Sequence, residues 1–330
     1  MSTRKWLLVI AGAAILIRLV YVLVHDPIPQ PYQLDLDEVD FSYLGKSVSE
    51  GRGLVDKQGD PTTTRFPFYP YVLGLVYFVF GYHTKAAFIF QAVLGGILPL
   101  LAYYICREYF SRRIALLAAG IAALYPSYIE FSQYLMSENL FIPEIAFLIF
   151  ISLKLLKKPD WKKAFCLGLA LGITSLTRGT AFLLVFIAPL VIVLAIRRKF
   201  VIRLRLAAVT VAAAVLVFIP WMIRNYHAYG KWLMSSSGGG PVLWLGYFPI
   251  PPGDFFQIDR AYAYVDSVGR DQAKLEEFHR ILMEDNLFGT IGMRWFFVHF
   301  YPDREFSYNE VELDNQVKKL LIEELKSNPR

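Results

Sequence analysis

WLLVIAGAAILIRLVYVLV, residues 6 to 24, is a run of apolar residues broken only by Arg18. As a helix it would reach about 30 Å, the thickness of a bilayer's hydrocarbon core. A basic start, Arg4 and Lys5, precedes it, as in a secretory signal, but the run reaches Val24 without a small-residue cleavage site. It therefore reads as an uncleaved first membrane span. Arg18 inside it is expected to pair with a carboxylate or to reach toward the headgroups.

The rest of the chain agrees with that opening. Of 330 residues, 55% are hydrophobic and only 19% charged, below the roughly one quarter usual for soluble domains. The net charge of +6 comes from short basic clusters between apolar runs, not from one stripe, so it gives no footprint for nucleic acid. Further spans are expected at about 84 to 106, 113 to 127, 139 to 157, 164 to 178, 180 to 197 and 206 to 222. With the N-terminus cytoplasmic, alternate connections carry the basic clusters, such as Arg112 and Arg113, Lys157 and Lys158, and Arg197 and Arg198. The inside bias of Lys and Arg places these in the cytoplasm of a cell-membrane protein. It places residues 25 to 83, PSYIEFSQYLMSE, the LTRGT turn and everything after Trp221 on the other face.

Within the first outer loop, FPFYPYVLGLVYFVFG, residues 66 to 81, is apolar but short and rich in Pro and Gly, which predicts an interfacial or re-entrant helix. GGGPVLWLGYFPIPPGD reads as loop, and TIGMRWFFVHFY as an interfacial anchor. Ser307 and Glu310 have capping-box spacing ahead of Val317, Leu320, Leu321 and Leu325, which predicts an amphipathic terminal helix. Cys106 and Cys166 form no metal motif, and the five histidines show no ligand spacing, so zinc is not expected.

The chemistry gathers on the outer face. LDLDEVDFSY, residues 34 to 43, carries Asp35, Asp37, Glu38 and Asp40. Asp35 and Glu38 fit a D-x-x-E variant of the capping box, and first-turn acids complement the helix dipole. That leaves Asp37 and Asp40 surplus, three apart on one face, where like charges repel. Arg65, Glu138, Arg178 and Arg224 lie on the same side of the membrane. Arg65 and Arg224 also fit snorkelling at span ends, and Glu138 fits a first-turn acid behind Ser137. Arg178 runs against the inside bias. Cations and carboxylates together could bind a lipid phosphate and a neutral polar substrate.

LDEVDFSYLGKSVSEGRGL, RFPFYPYVLGLVYFVFG, LYPSYIEFSQYLMSENLF, SLTRGTAFLL and PWMIRNYHAYGKWLMSSSGGG follow in that order over roughly residues 1 to 250. In these motifs the chain resembles the polytopic glycosyltransferases of the GT-C fold, the relatives of dolichyl-phosphate-mannose protein mannosyltransferases and of aminoarabinose transferases. The resemblance implies an all-α polytopic membrane protein. Its GT-C module, residues 1–224, would have about seven transmembrane helices and amphipathic helices in the first outer loop, 25–83. Residues 225–330 would form an extracytoplasmic loop with amphipathic helices, continuing into further spans in a full-length protein.

It also implies transfer of a sugar from a polyprenyl phosphate to a lipid, glycan or protein acceptor on the outer face, with inversion. Asp37 and Glu38 match the family's acidic pair, Glu138 its acid at the fourth span, and Arg178 and Arg224 its recurrent arginines. On that basis Asp37 is the base, and Glu38 orients it or binds the sugar. Arg65, Arg178 and Arg224 meet the leaving phosphate, Tyr69 donates a hydroxyl or serves as a sugar platform, and Glu138 binds acceptor or sugar. No cofactor is required, although Asp37, Glu38 and Glu138 are oxygen ligands suited to a divalent cation. The competing reading is a transporter or flippase, which would place its charges near the bilayer midplane and usually shows paired broken helices.

Overall fold

Apolar runs bounded by Gly, Pro and basic residues become helices along the chain, and no β-sheet forms among the described residues. The computed structural model describes residues 2–24, 36–237 apart from 57, 301, 304–307 and 309–327, with 239, 240, 243 and 297. Asp35, most of GGGPVLWLGYFPIPPGD and nearly all of TIGMRWFFVHFY lie outside the described residues; within the first of these stretches, expected as loop, residues 239, 240 and 243 are helical. The chain divides into two compact units, residues 1–55 with 66–234, and residues 56–65 with 235–330.

The first unit holds α1 (Thr3–Val24), α2 (Leu36–Ser49), α3 (Phe68–Phe80), α4 (Thr84–Gly95), α5 (Ile97–Cys106) and α6 (Arg112–Leu124). It continues with α7 (Pro126–Glu130), α8 (Glu138–Lys157), α9 (Trp161–Thr177), α10 (Leu184–Ala195) and α11 (Phe200–Tyr229). Helices stand at all seven places expected for spans. Four are long and apolar enough to cross a bilayer: α1, α4 running into α5, α8 and α11. A fifth candidate is broken, α6 and Pro126–Gln133 meeting at 51°. The bend has a local cause: Tyr125 is extended before Pro126, which cannot continue the preceding helix but is suited to start the next. The remaining two places are shorter. The α9 helix has 17 residues, which reach only about 25 Å, because the chain turns extended at Arg178. The expected interfacial segment is α3, with 13 residues.

Arg18 does not find a carboxylate. Its guanidinium is fully buried, and Nη1 donates to the carbonyls of Ala14 and Ala123, both at 3.0 Å, with Ala122 O at 3.5 Å from Nη2. Ala122 and Ala123 are in the last turn of α6, where helical carbonyls lose their own partners. Burial keeps those orphans from water, so Arg18 of α1 closes the end of the broken helix. The space exists because residue 95 is Gly: a Cβ there would stand 2.7 Å from Arg18 Nε. Arg18→Leu should therefore cost on the order of 3 kcal/mol. Thermal unfolding of the detergent-solubilised protein checks this, and an unchanged midpoint would contradict the capping role.

The second unit contains α12 (Glu310–Ser327), which buries Val311, Leu313, Val317, Leu320 and Leu321 and leaves Leu325 exposed. The amphipathic helix is as expected, but its cap differs. Asn309 Oδ1 accepts from Val311 N at 3.0 Å and Glu312 N at 3.2 Å, the pattern of an N-cap. Ser307 Oγ instead donates to Glu312. Glu310 turns inward, accepting from Thr62 Oγ1 and Ser237 Oγ at 3.0 Å and from the backbone and hydroxyl of Thr63. A buried carboxylate with four donors is a tertiary fastener rather than a local cap.

Candidate active site

The first turn of α2 carries Asp37 and Glu38, both half-buried. Glu38 is not confined to its own helix: Oε1 accepts from the backbone N–H of Leu135, in the turn ahead of α8. This bond joins positions 97 residues apart and fixes the start of α2 beside the start of α8. One turn along from Asp37, on the same helix face, Phe41 packs edge-on against Tyr69, with centroids 4.9 Å apart.

Tyr69 supports that corner from below. It is 1% exposed and its hydroxyl donates to Gln91 Oε1; Gln91 Nε2 in turn donates to Ser132 O and Tyr134 O at 3.1 Å. Burial, with Tyr77, Glu38 and Glu138 adding negative potential, raises the phenol well above its ordinary range, so it stays a protonated donor. Its ring is buried among α2, α3 and α4 rather than offered as a sugar platform. Asn139 closes the same turn, Nδ2 reaching the carbonyls of Phe131 and Tyr134 at 2.9 Å and Met136 at 3.2 Å.

At the head of α8, Glu138 forms an ion pair with Arg178. Arg178 Nη1 also donates to Ser137 Oγ at 3.1 Å, and the guanidinium lies 5.7 Å from the Phe141 ring. Both contacts to oxygen use Nη1, so Nε and Nη2 make no hydrogen bond among the described residues, and the side chain is 35% exposed. Arg178 is therefore clamped at one nitrogen while the rest of its planar fork can meet an anion. Gly179 shapes the adjoining turn, since a Cβ there would stand within 2.8 Å of two carbons of the Phe66 ring. A side chain at 179 would require the Phe66 ring to move.

The other predicted cations are placed differently. Arg224 Nη2 donates to Leu54 O at 2.6 Å and Nη1 to Asn225 Oδ1 at 3.0 Å, with the Trp221 and Tyr229 rings 5.2 and 5.9 Å away. Leu54 follows Gly53, whose carbonyl accepts from Ser47 in the last turns of α2. Arg224 thus braces the far end of α2, roughly 18 Å along the helix from Asp37. Arg65 belongs to the second unit. The structure brings together Asp37, Glu38, Tyr69, Glu138 and Arg178, and does not place Arg224 with them.

The three carboxylates expected as cation ligands do not form a ligand set. Glu38 is bound to Leu135 N and Glu138 to Arg178. Among the described residues no group of three His, Cys, Asp or Glu is arranged to hold an ion. Two supporting residues escaped the reading of the sequence: Gln91 and Asn139. Gln91 had a signal, a lone polar side chain within an apolar span. Asn139 had none.

Residues 61–223, just under half of the chain, match the family described as dolichyl-phosphate-mannose-protein mannosyltransferase. The match includes Arg65, Tyr69, Glu138 and Arg178, and ends before Arg224. Asp37 and Glu38 precede it. Among curated proteins none matches. A solved structure with a similar course is the Archaeoglobus fulgidus oligosaccharyltransferase, crystallised with a tethered acceptor peptide containing the NVT sequon. It has a TM-score of 0.49 and 18% identity over 84% of this chain, and this chain spans 38% of that one.

Proposed function

We propose that this protein is a membrane glycosyltransferase that moves a sugar from a polyprenyl phosphate to an acceptor hydroxyl on the extracytoplasmic face, with inversion. The observation that carries the reading is a pairing within one corner of the fold. An acidic first turn, Asp37 and Glu38, is tied to the head of α8, where Glu138 holds Arg178 with part of its guanidinium still available. The family match over residues 61–223 supports the same class of chemistry.

In this mechanism the acceptor oxygen bonds to the anomeric carbon as the bond from that carbon to the phosphate oxygen breaks. The electron pair leaves with the polyprenyl phosphate, and the hydroxyl proton passes to Asp37. A carboxylate suffices as base because the proton becomes acidic once the oxygen is bonding to an oxocarbenium-like centre. Guanidinium suits the departing phosphate, since its charge is permanent and its donors are planar and paired. Arg178 takes that role. Glu38 and Tyr69 hold the corner in place, and Glu138 orients Arg178.

The test is mass spectrometry of envelope glycans and lipid-linked sugars from cells with and without the gene. The proposal expects one sugar to be missing from an acceptor and its polyprenyl-phosphate form to accumulate. Unchanged glycans with unchanged lipid-linked pools would reject it.

A further inference from the structure

Glu144 lies inside α8, one residue past Pro143 and about 9 Å along the helix from Glu138. An ionisable group within an apolar span is costly, and where one occurs its partner indicates its purpose. Here the partner is Thr177, whose Oγ1 stands 2.9 Å from Glu144 Oε1. Thr177 is the last residue of α9, and the next residue is Arg178. Two carboxyl groups of α8 therefore hold two consecutive residues: Glu138 takes the side chain of Arg178, and Glu144 takes the hydroxyl immediately before it.

The hydrogen count at Thr177 says in which form Glu144 does this. Thr177 Oγ1 is also 3.1 Å from Ile173 O, a second acceptor. A hydroxyl has one proton to donate and two lone pairs that accept. Both contacts are good hydrogen bonds at once when Thr177 donates to Ile173 O and accepts a proton from the Glu144 carboxyl. An ionised Glu144 would compete with Ile173 O for one proton. Its Oε2, which is buried and without a hydrogen-bond partner among the described residues, would also hold charge in an apolar layer.

We infer that Glu144, as a neutral carboxylic acid, is a positioning residue that fixes Arg178 for phosphate through Thr177. Arg178 leaves α9 in extended conformation, φ −148° and ψ 132°, directly after the anchored hydroxyl. Anchoring Thr177 sets where that departure begins, and Glu138 then aims the guanidinium. The inference rests on the reading of Arg178 as the phosphate-binding group.

The probe is polyprenyl phosphate itself, with the phosphate-free polyprenol as control, titrated against the full chain in detergent. Glu144→Ala should weaken polyprenyl phosphate binding about five- to tenfold and leave polyprenol binding unchanged. Glu144→Gln, which keeps a neutral donor, should stay within about twofold of the parent. Arg178→Ala should already lose the phosphate preference, so that adding Glu144→Ala to it weakens binding no further. Parent-like binding by Glu144→Ala would overturn the inference, as would equal losses for the two lipids or a Gln variant as weak as Ala. If Glu144→Ala does not fold, Thr177→Val, which removes the anchored hydroxyl, decides: it should weaken polyprenyl phosphate binding and not polyprenol binding, and parent-like binding would overturn the inference. A parent chain that does not prefer polyprenyl phosphate over polyprenol would instead reject the phosphate site of the proposed function.

Discussion

Asp37→Asn is expected to lower the rate of sugar transfer roughly a hundred- to ten-thousandfold, the usual contribution of a positioned general base. The substitution keeps the shape of the side chain and removes its capacity to take a proton. Donor affinity should change little, because Asp37 acts on the acceptor hydroxyl rather than on the lipid phosphate. Glu38→Gln provides the contrast. Glu38 Oε1 accepts from Leu135 N, and an amide oxygen can still accept there, so this variant should lose far less than Asp37→Asn. Transfer assayed with saturating donor separates the two. Comparable losses in both variants would move the base from Asp37 to the pair as a whole.

For Arg178→Ala the expected effect is on donor binding, weakened about tenfold to a hundredfold, the worth of one or two charge-assisted hydrogen bonds. Arg178→Lys should recover only part of it, because an ammonium cannot match the paired donors of a guanidinium. The Glu138 partner makes a further distinction. Glu138→Gln keeps an acceptor for Nη1 but removes its charge, so the guanidinium stays in place and affinity falls less than in Arg178→Ala. Titration with the lipid donor at two salt concentrations measures this. Donor affinity independent of Arg178 would remove phosphate binding from this residue.

Much of the architecture was legible because a bilayer permits so few solutions. Only helices satisfy the backbone within hydrocarbon, and their minimum length follows from its thickness. That is why every expected span coincides with a helix, and why α3, short and carrying Pro70 in its first turn, was separable from them. Span length was less legible where polar chemistry interrupts a helix. Arg178 ends α9 at 17 residues, and Pro126 breaks the helix that Arg18 then caps. Arg18 was readable as anomalous, but nothing local says that its partners are carbonyls more than a hundred residues away.

The site divides in the same manner. Helix capping left Asp37 and Asp40 surplus and only the resemblance singled out Asp37, whereas Arg178 stood out against the charge bias expected of its side. The bond from Glu38 to Leu135 N, the commitment of Tyr69 to Gln91 and the bracing of Leu54 by Arg224 were not readable. Each joins segments distant in sequence, and each depends on which face of a helix is turned toward which neighbour. A capping rule likewise assigned Ser307 and Glu310 to each other, whereas tertiary contacts drew Glu310 to Thr62 and Thr63 and left Asn309 as the cap.

The most direct test of the central claim uses the purified full chain in liposomes carrying polyprenyl phosphate labelled in its sugar, with envelope extract as the source of acceptor. Label should become covalently attached to an acceptor, with the anomeric configuration inverted, and Asp37→Asn should slow this at least about a hundredfold while still binding the donor. Label that remains on the polyprenyl phosphate and merely changes leaflet, equally with the parent and with Asp37→Asn, would contradict the claim.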